Sequence, residues 1–502
     1  MLDQSISLSR RSLLRKSALV VGIPPMLSLL VACGSSSAST VRTASSSTQG
    51  APQTRSAASS ATASRAAASQ APGAAKGQVT WLVPEDPLLS KFSRNGIVPD
   101  FKKVQPNVEV QVILPGSTAY GQKLLALVAA GTVPEVYTDW GNTGFWTLVK
   151  KNLLTDLTTY FGQAKVDPSY LLSIYRKEYS VDGKLMAVPW NSNPVFLVYN
   201  KTMFQKYNVP LPPSDWNDKS WTTDKLLETA KALTHKTGNP ATATYGLIMG
   251  AGALGSLGWL WNADPFNDKG GPEDSGIYQG KEPAQTYPNR QPIVEAMSWL
   301  ADLTLKYGVS PTPTDAQALS SQGNPVFSGR VGIVEVAAGW LERQAAVAKP
   351  HFEWGIAPFP WGPGKRNTSQ REDNAWYLGK GSKNPDAGFQ LILFSSRGKG
   401  ADDLIEYAKD NPPIADTSYF TKWSKGVQSI PGFSMDLKSF QSVFEGGIKL
   451  GFGDPTNIIY SPAEFSNAFS QLMAPVWIGK QTAQNALTQV KAKWDGILKS
   501  LS

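Results

Sequence analysis

Ser117-Thr118-Ala119-Tyr120-Gly121-Gln122-Lys123-Leu124-Leu125-Ala126-Leu127-Val128-Ala129-Ala130-Gly131-Thr132-Val133-Pro134-Glu135-Val136-Tyr137 reads as a helix followed by a strand. Tyr120, Leu124, Leu127 and Val128 share one face at the helical period. Ser117 or Thr118 can cap the start, and Gly131 ahead of Pro134 stops the end. Working back, Val108, Val110 and Val112 alternate with Glu109 and Gln111, the period of a strand. Phe92 to Val104 suits a helix ending near Pro106. Val79, Trp81 and Val83 alternate before Pro84 breaks the run. Strand, helix, strand, helix, strand predicts right-handed crossovers and a largely parallel sheet, so the fold class is α/β.

The far end is also helical. Asn384-Pro385-Asp386 opens a helix with Pro at its first position, and Phe389, Leu391, Ile392 and Phe394 are among its apolar residues. Ala483, Ala486, Leu487, Val490, Trp494, Ile497 and Leu498 line one face of a terminal helix. Ahead of both, Asn262 to Gln291 is rich in Gly, Pro and acidic residues and reads as a long solvated loop. No internal repeat is visible.

The chain has 502 residues, one Cys, two His and 16 Trp, with a formal charge of +9. One Cys excludes an intrachain disulfide framework and multi-cysteine metal sites. Two His exclude a three-histidine metal centre. The charge is concentrated at the start. Arg10, Arg11, Arg15 and Lys16 precede an uncharged stretch from Ser17 that ends in Leu30-Val31-Ala32-Cys33. This reads as an export signal over 1–33. Arg10-Arg11 resembles a twin-arginine signal, and Leu30 to Cys33 resembles a bacterial lipobox that would lipidate Cys33. Residues 34–76 contain 30 Ser, Ala or Thr out of 43 and no acid or aromatic. Such a segment is expected to be a disordered tether, spanning about 35–40 Å as a flexible coil. A glycosylated stalk is the alternative. Removing eight basic residues and one acid before position 77 leaves 40 basic and 38 acidic residues in the body. That near balance gives no reason to expect nucleic acid as a partner.

Five segments of the body resemble one family, the extracellular solute-binding proteins of the sugar-binding, maltose-binding-protein-like type that serve ABC importers. The first is Tyr120 to Val136, where Glu135 stands in place of the usual Asp. The second and strongest runs from Asp182-Gly183-Lys184 through Val188-Pro189-Trp190 to Tyr199-Asn200-Lys201. The third is Phe327 to Trp340, with Gly332-Ile333 replacing the usual Ala-Met. The fourth is Gly379 to Phe394 and the fifth Val476 to Leu487. The resemblance implies a two-lobed type II periplasmic-binding-protein fold, with two discontinuous doubly wound lobes, a hinge, and ligand in the cleft. Its topology would place lobe 1 at about 77–192 and 378–430, and lobe 2 at about 193–377 and 431–502. It implies an importer's substrate-binding component, not an enzyme. That component would be monomeric, lipid-anchored outside the cell membrane, partnered by ABC permease subunits and free of any cofactor.

Ligands of open α/β sheets sit beyond the carboxyl ends of strands. Residues following the expected strands are Glu85 and Asp86; Trp140 and Asn142; Trp190 and Asn191; and Trp340. Trp376 sits near a return crossing, and Trp259 and Trp261 flank the acidic loop. Trp beside a short polar residue suits a sugar, which has apolar C–H faces and a hydroxyl rim. Trp190→Ala is expected to weaken ligand binding with little loss of fold. Each Trp also has a packing reading, and Trp81, Trp299, Trp423 and Trp494 read as core. Two other functions stay open. The same fold could take a non-sugar solute, with acidic residues in the cleft favouring a cation. A glycoside hydrolase could use Glu178, Asp182 or Glu335. Gly250-Ala251-Gly252-Ala253-Leu254-Gly255 fits a dinucleotide fingerprint but lacks its helix. Asp264, Asn267, Asp268, Glu273 and Asp274 lack calcium-loop spacing.

Overall fold

The computed structural model describes residues 75–116, 119–139, 143–238, 242–250, 252–320, 325–345 and 348–501, without the side chains of Ala253, Trp340 and Glu342. The expected export signal, Cys33 and nearly all of the tether lie outside the described residues, as do Ser117, Thr118, Trp140 and Asn142. Among the described residues no helix is long and apolar enough to cross a membrane.

The strands in chain order are β1 (Gly77–Leu82), β2 (Val108–Ile113), β3 (Val136–Thr138), β4 (Ser180–Val181), β5 (Lys184–Leu185), β6 (Val188–Pro189), β7 (Val195–Asn200), β8 (Tyr245–Ile248), β9 (Val331–Ala337), β10 (Trp354–Ala357), β11 (Gln370–Arg371), β12 (Ala375–Leu378) and β13 (Phe452–Gly453). They build one sheet in the order β2-β1-β3-β12-β6 and a second in the order β10-β7-β9-β8. A two-strand ribbon of β11 and β13 and a hairpin of β4 and β5 complete the set. The first sheet starts as the alternation predicts. β1 runs parallel to β2 and β3, with Val79 opposite Val110 and Trp81 opposite Val136. The helix Tyr120–Ala129 joins β2 to β3 and ends before Gly131, whose φ of +69° is left-handed. Tyr120 Oη lies 3.0 Å from the carbonyl oxygens of both Leu82 and Thr138, tying this helix to two strand ends.

The expectation of largely parallel sheets holds for only part of the molecule. β12 runs antiparallel to both β3 and β6, and β7 antiparallel to both β9 and β10. These are the strands entered directly from the other lobe: β7 follows β6, and β12 follows β11. A crossover within one lobe returns the chain over the sheet and gives a parallel strand. A chain arriving across the cleft enters at the cleft edge and must run the opposite way.

Two faces of the first sheet are covered. Val79, Trp81, Val188, Trp376 and Leu378 pack in one cluster with Phe92 and with Phe389 and Ile392 of the helix Pro385–Ser395. The second sheet packs Phe196, Val198, Val334 and Trp354 against Phe440, Val443 and Phe444 of the helix Leu437–Leu450. On its other side lies the helix Thr223–Leu233. That helix is close enough to explain Gly332: a Cβ there would stand 2.7 Å from Leu233 Cδ1 and 2.9 Å from the Gly246 carbonyl. Glu135 also has a local reason. Its carboxylate accepts from Thr80 N at 2.8 Å and Lys383 N at 3.3 Å, joining β1 to the start of a helix.

The acidic stretch after Asn262 differs from the solvated loop expected. Asp264 is fully buried and accepts from Trp259 Nε1 at 2.8 Å, Tyr278 Oη at 2.9 Å and Phe266 N at 2.9 Å. Three donors offset the cost of burying the acid, so this loop is organised around Asp264.

Candidate functional site

The carboxyl ends of β1, β3 and β6 in one sheet and of β8, β9 and β10 in the other border the chain crossings. Three sets of residues occupy this border. In the first, Asp86 follows β1 and caps the helix Pro87–Lys91 by accepting from Leu88 N and Leu89 N, both at 2.9 Å. Its other oxygen is 3.7 Å from Arg343 Nη1, and Arg343 Nη2 donates to the buried Asp410. One guanidinium from beyond β9 thus spans the cleft to two carboxylates of the opposite lobe.

The second set zips the crossings together. Trp190 N donates to the Asn374 carbonyl at 2.9 Å, and Asn374 N donates to Asn191 Oδ1 at 2.8 Å. Asn193 N donates to Asp373 Oδ1 at 2.9 Å, and Gly339 N donates to Asn193 Oδ1. Arg371 is the centre of this set. Its side chain is 3% exposed, donates Nε to Asp373 Oδ2 at 2.9 Å, pairs with Glu178, and reaches the carbonyls of Ile448 and Gly451.

The third set is acidic. Glu335, late in β9, accepts from Gly250 N at 2.9 Å. Glu372 lies 3.5 Å from Gln370 Nε2, and Asp454 accepts from Thr456 N at 2.8 Å. Beside Glu335 is a cavity of about 20 Å³, lined among others by Gly250, Ser256, Trp259, Phe359 and Gln370. A larger recess of about 520 Å³ lies elsewhere, on the outer surface around Lys231, Lys236 and Tyr307.

Burial pushes Glu335 up to about 7. It pushes Glu372 up to about 8, with the charges of Asp454 and Glu335 adding to the effect, and Asp454 up to about 6. An unfolded chain releases these protons in the ordinary carboxylate range, whereas the folded chain holds them to higher pH. In that interval the unfolded state binds fewer protons, so stability falls as pH rises. Carboxylates held low, such as Asp100 beside Lys103 and Lys399, act below this window. The melting temperature is therefore expected to decline from about pH 5 to about pH 8. A melting series across that range checks it, and a rising profile contradicts it.

The structure separates the residues singled out from the sequence. Asp86 lies at the cleft. Glu85 is exposed and bridges to Gly116 at the strand edge. Trp340 ends the short helical turn Ala338–Trp340 at the end of β9. Trp190 and Trp376 are brought together, but as core. Their rings stack at 5.2 Å with 20° between planes, and Trp81 meets Trp376 edge-on at 5.1 Å. Neither offers a ring face to solvent, since Trp190 is 1% and Trp376 0% exposed. The pleat explains the difference: Trp376 and Leu378 point to the helix-covered face, as Ala375 and Tyr377 point to the other. Asn191 is buried and spends its carbonyl on the crossing. Trp259 is buried between Tyr278 and Phe452 while bordering the small cavity. Trp261 packs on Trp299 at 5.7 Å within its own lobe. Of the acids considered for hydrolysis, Glu178 is held by Arg371 and Asp182 lies in an exposed turn with φ of +50°.

Arg343, Arg371, Glu372, Asp410 and Asp454 were not legible as site residues. One signal existed: Arg371-Glu372-Asp373 is a run of charge immediately ahead of an apolar strand.

The family model for bacterial extracellular solute-binding proteins matches residues 96–432. An sn-glycerol-3-phosphate-binding periplasmic protein from Agrobacterium fabrum is 25% identical over 301 residues, covering 57% of this chain and 56% of that relative. The chain thus spans little more than half the length of this curated relative. Among solved structures, an ABC substrate-binding protein from Listeria monocytogenes in complex with cycloalternan superposes with a TM-score of 0.68 at 20% identity, covering 85% of this chain and 99% of that one. Maltose-bound MalE3 from T. maritima gives 0.63 at 18% identity, covering 85% and 100%. These likenesses carry the fold, a two-lobed type II periplasmic-binding architecture.

Proposed function

Because this chain belongs to the bacterial extracellular solute-binding protein family, we propose that it is the substrate-binding component of an ABC importer, holding a carbohydrate between its lobes and presenting it to the permease on closure. The observation that carries this reading is the Asp86–Arg343–Asp410 bridge, which ties the two lobes across the cleft. A contact of that kind forms only when the lobes approach, and ligand shifts the hinge toward that state. The structures with bound cycloalternan and maltose favour an oligosaccharide as cargo. Asp86, Trp140, Asn142 and Trp340 are the proposed ligand contacts, whereas Trp190, Asn191, Trp259 and Trp376 are buried. The expected boundaries of 378 and 431 shift: lobe 1 comprises about 77–192 and 375–416, because β12 pairs within the first sheet, and lobe 2 about 193–374 and 417–502, because Trp423 and Val427 pack with Phe440 and Phe444. Calorimetric titration against mono- and oligosaccharides tests the reading. A flat response to the sugars, with binding of another solute class, would remove the carbohydrate.

We further propose that residues 1–33 direct export and that Cys33 carries the lipid anchor, with 34–76 as tether. Burial of acyl chains contributes about 0.8 kcal/mol per CH₂, so several chains hold the protein on the outer face of the membrane. Cys33→Ser is expected to move the protein from the membrane fraction to the soluble extracytoplasmic fraction. Unchanged fractionation would exclude Cys33 as the anchor.

A further inference from the structure

Two carboxylates of one lobe close on a single guanidinium of the other. Arg343 stands in the π-helical turn Leu341–Ala345, just past β9. Asp410 follows another such turn, Leu404–Ala408. Turns of this rare kind recur at functional sites. Asp410 belongs to the first lobe, because Ser192 N donates to the Asn411 carbonyl and Leu172 N to the Pro413 carbonyl, both at 2.9 Å. Arg343 Nη2 donates to Asp410 Oδ2, and Nη1 lies 3.7 Å from Asp86 Oδ2. The pair is sheltered: the Asp410 side chain is 1% exposed and that of Arg343 14%. A charge-assisted hydrogen bond kept from water is screened far less than one at the surface.

The packing beside the pair is a separate observation. Leu404 and Ala408 lie in the core of the first sheet, but Ile405 packs in the cluster of the second, which also holds Leu341 and Ala345. One helical turn thus reaches both cores shortly ahead of Asp410. Gly339 gives a further sign. A Cβ there would stand 2.9 Å from Asn193 Oδ1 and 3.1 Å from Asp410 Oδ1. The lobes meet at residue 339 with no room for a side chain. The Asp410 carboxylate therefore sits against Gly339 by one oxygen and against Arg343 by the other.

We propose that Arg343 and Asp410 form a latch that populates the closed arrangement of the lobes before any ligand binds, with Gly339 as the point of closest approach. This rests on the two-lobed importer reading above and names what regulates closure of its cleft. In an open chain both charged groups regain water, so the closed form gains only the difference between that hydration and the pair. The pair is sheltered and makes its contacts within the protein, so its contribution does not depend on what lies in the cleft. The latch therefore scales the affinity for every ligand by one factor, through the fraction of chain already closed. Specificity stays with the residues that touch the ligand.

The test measures the separation of the lobes. Cys33 is the only Cys, so the full chain with Cys33→Ser accepts spin labels at Leu125→Cys in lobe 1 and Leu211→Cys in lobe 2, both exposed. Without ligand, the distances between labels are expected to include a closed population. Arg343→Met and Asp410→Asn, made on opposite lobes, are each expected to lower the closed-to-open ratio about tenfold. The double variant is expected to lower it by about the same factor, because both changes remove one contact. A melting curve verifies that each variant is folded, and Asp410→Asn decides where Arg343→Met is not. Calorimetric titration with maltose, maltotriose and mannotriose is expected to show one common loss of affinity in each variant, up to about tenfold. A parent chain without the closed population, variants that keep it, or effects that add in the double variant overturn the latch and leave the carbohydrate reading standing. Losses that differ among the sugars overturn it too. No binding of any sugar removes the carbohydrate reading, and the distances then decide the latch alone.

Discussion

Arg371→Met lowers the free energy of unfolding by about 3–5 kcal/mol, the loss expected when one partner of a buried charge network is removed. Met keeps the length of the side chain, which passes beside the Tyr175 ring with the guanidinium carbon 5.3 Å from its centroid. What disappears is the cation between Glu178 and Asp373 and the donors to the Ile448 and Gly451 carbonyls. Burial already raises Glu178, and raises Asp373 to about 7, although Arg371 pulls both down. Without the cation both rise further and hold their protons in the folded state. The deficit therefore grows as pH rises and shrinks under acid conditions, where both states are protonated. Adding Glu178→Gln and Asp373→Asn to Arg371→Met recovers much of the loss, because no charge is then left unpaired. Chemical denaturation of the single and triple variants measures this. A single variant within about 1 kcal/mol of wild type, the level of an exposed pair, would show that Arg371 does not hold the crossings together.

Trp190→Ala costs about 3–5 kcal/mol of stability, the range for truncating a fully buried aromatic. The indole stacks on Trp376 at 5.2 Å, and its Nε1 donates to Thr138 Oγ1 at 3.3 Å on the neighbouring part of the sheet. Ala leaves a void against Trp376 and the apolar cluster beneath it. This reverses the order of effects expected from sequence, where ligand affinity was to fall and the fold to survive. Denaturation midpoints and saccharide titrations on the same variant separate the two. If stability holds while affinity falls, the ring is a ligand platform and the packing account is wrong.

The α/β alternation up to Val136 was legible because its elements are short-range patterns. Val79, Trp81 and the valines of β2 alternate, and Tyr120 and Leu124 recur at the helical period. The terminal helix was legible for the same reason, with Ala486, Val490 and Trp494 buried along one face. Strand direction was not. Nothing within Ala375–Leu378 states that it runs against its neighbours; only the return from the other lobe dictates that. The site was misjudged where nearness to a strand end stood in for side-chain direction. Trp376 is within the strand and obeys its pleat, so it turns into the core. Glu335 was visible as a carboxylate in an apolar strand, but Glu372 feels its charge only because a crossing returns the chain 37 residues further on.

The position of β12 between β3 and β6 bears on how the chain first folds. During synthesis β3 emerges with no neighbour on its far side, and β6 with none at all, until residue 378 has been made. The exposed edge must wait for a strand almost 240 residues downstream of β3, a long-range closure of the kind that slows folding. Over that interval a hydrogen-bonding edge stands open to pairing with other chains. A nascent chain of this topology therefore favours holdase chaperones until β12 has been made, and mutations that weaken β12 should show as lost yield before they show as lost binding.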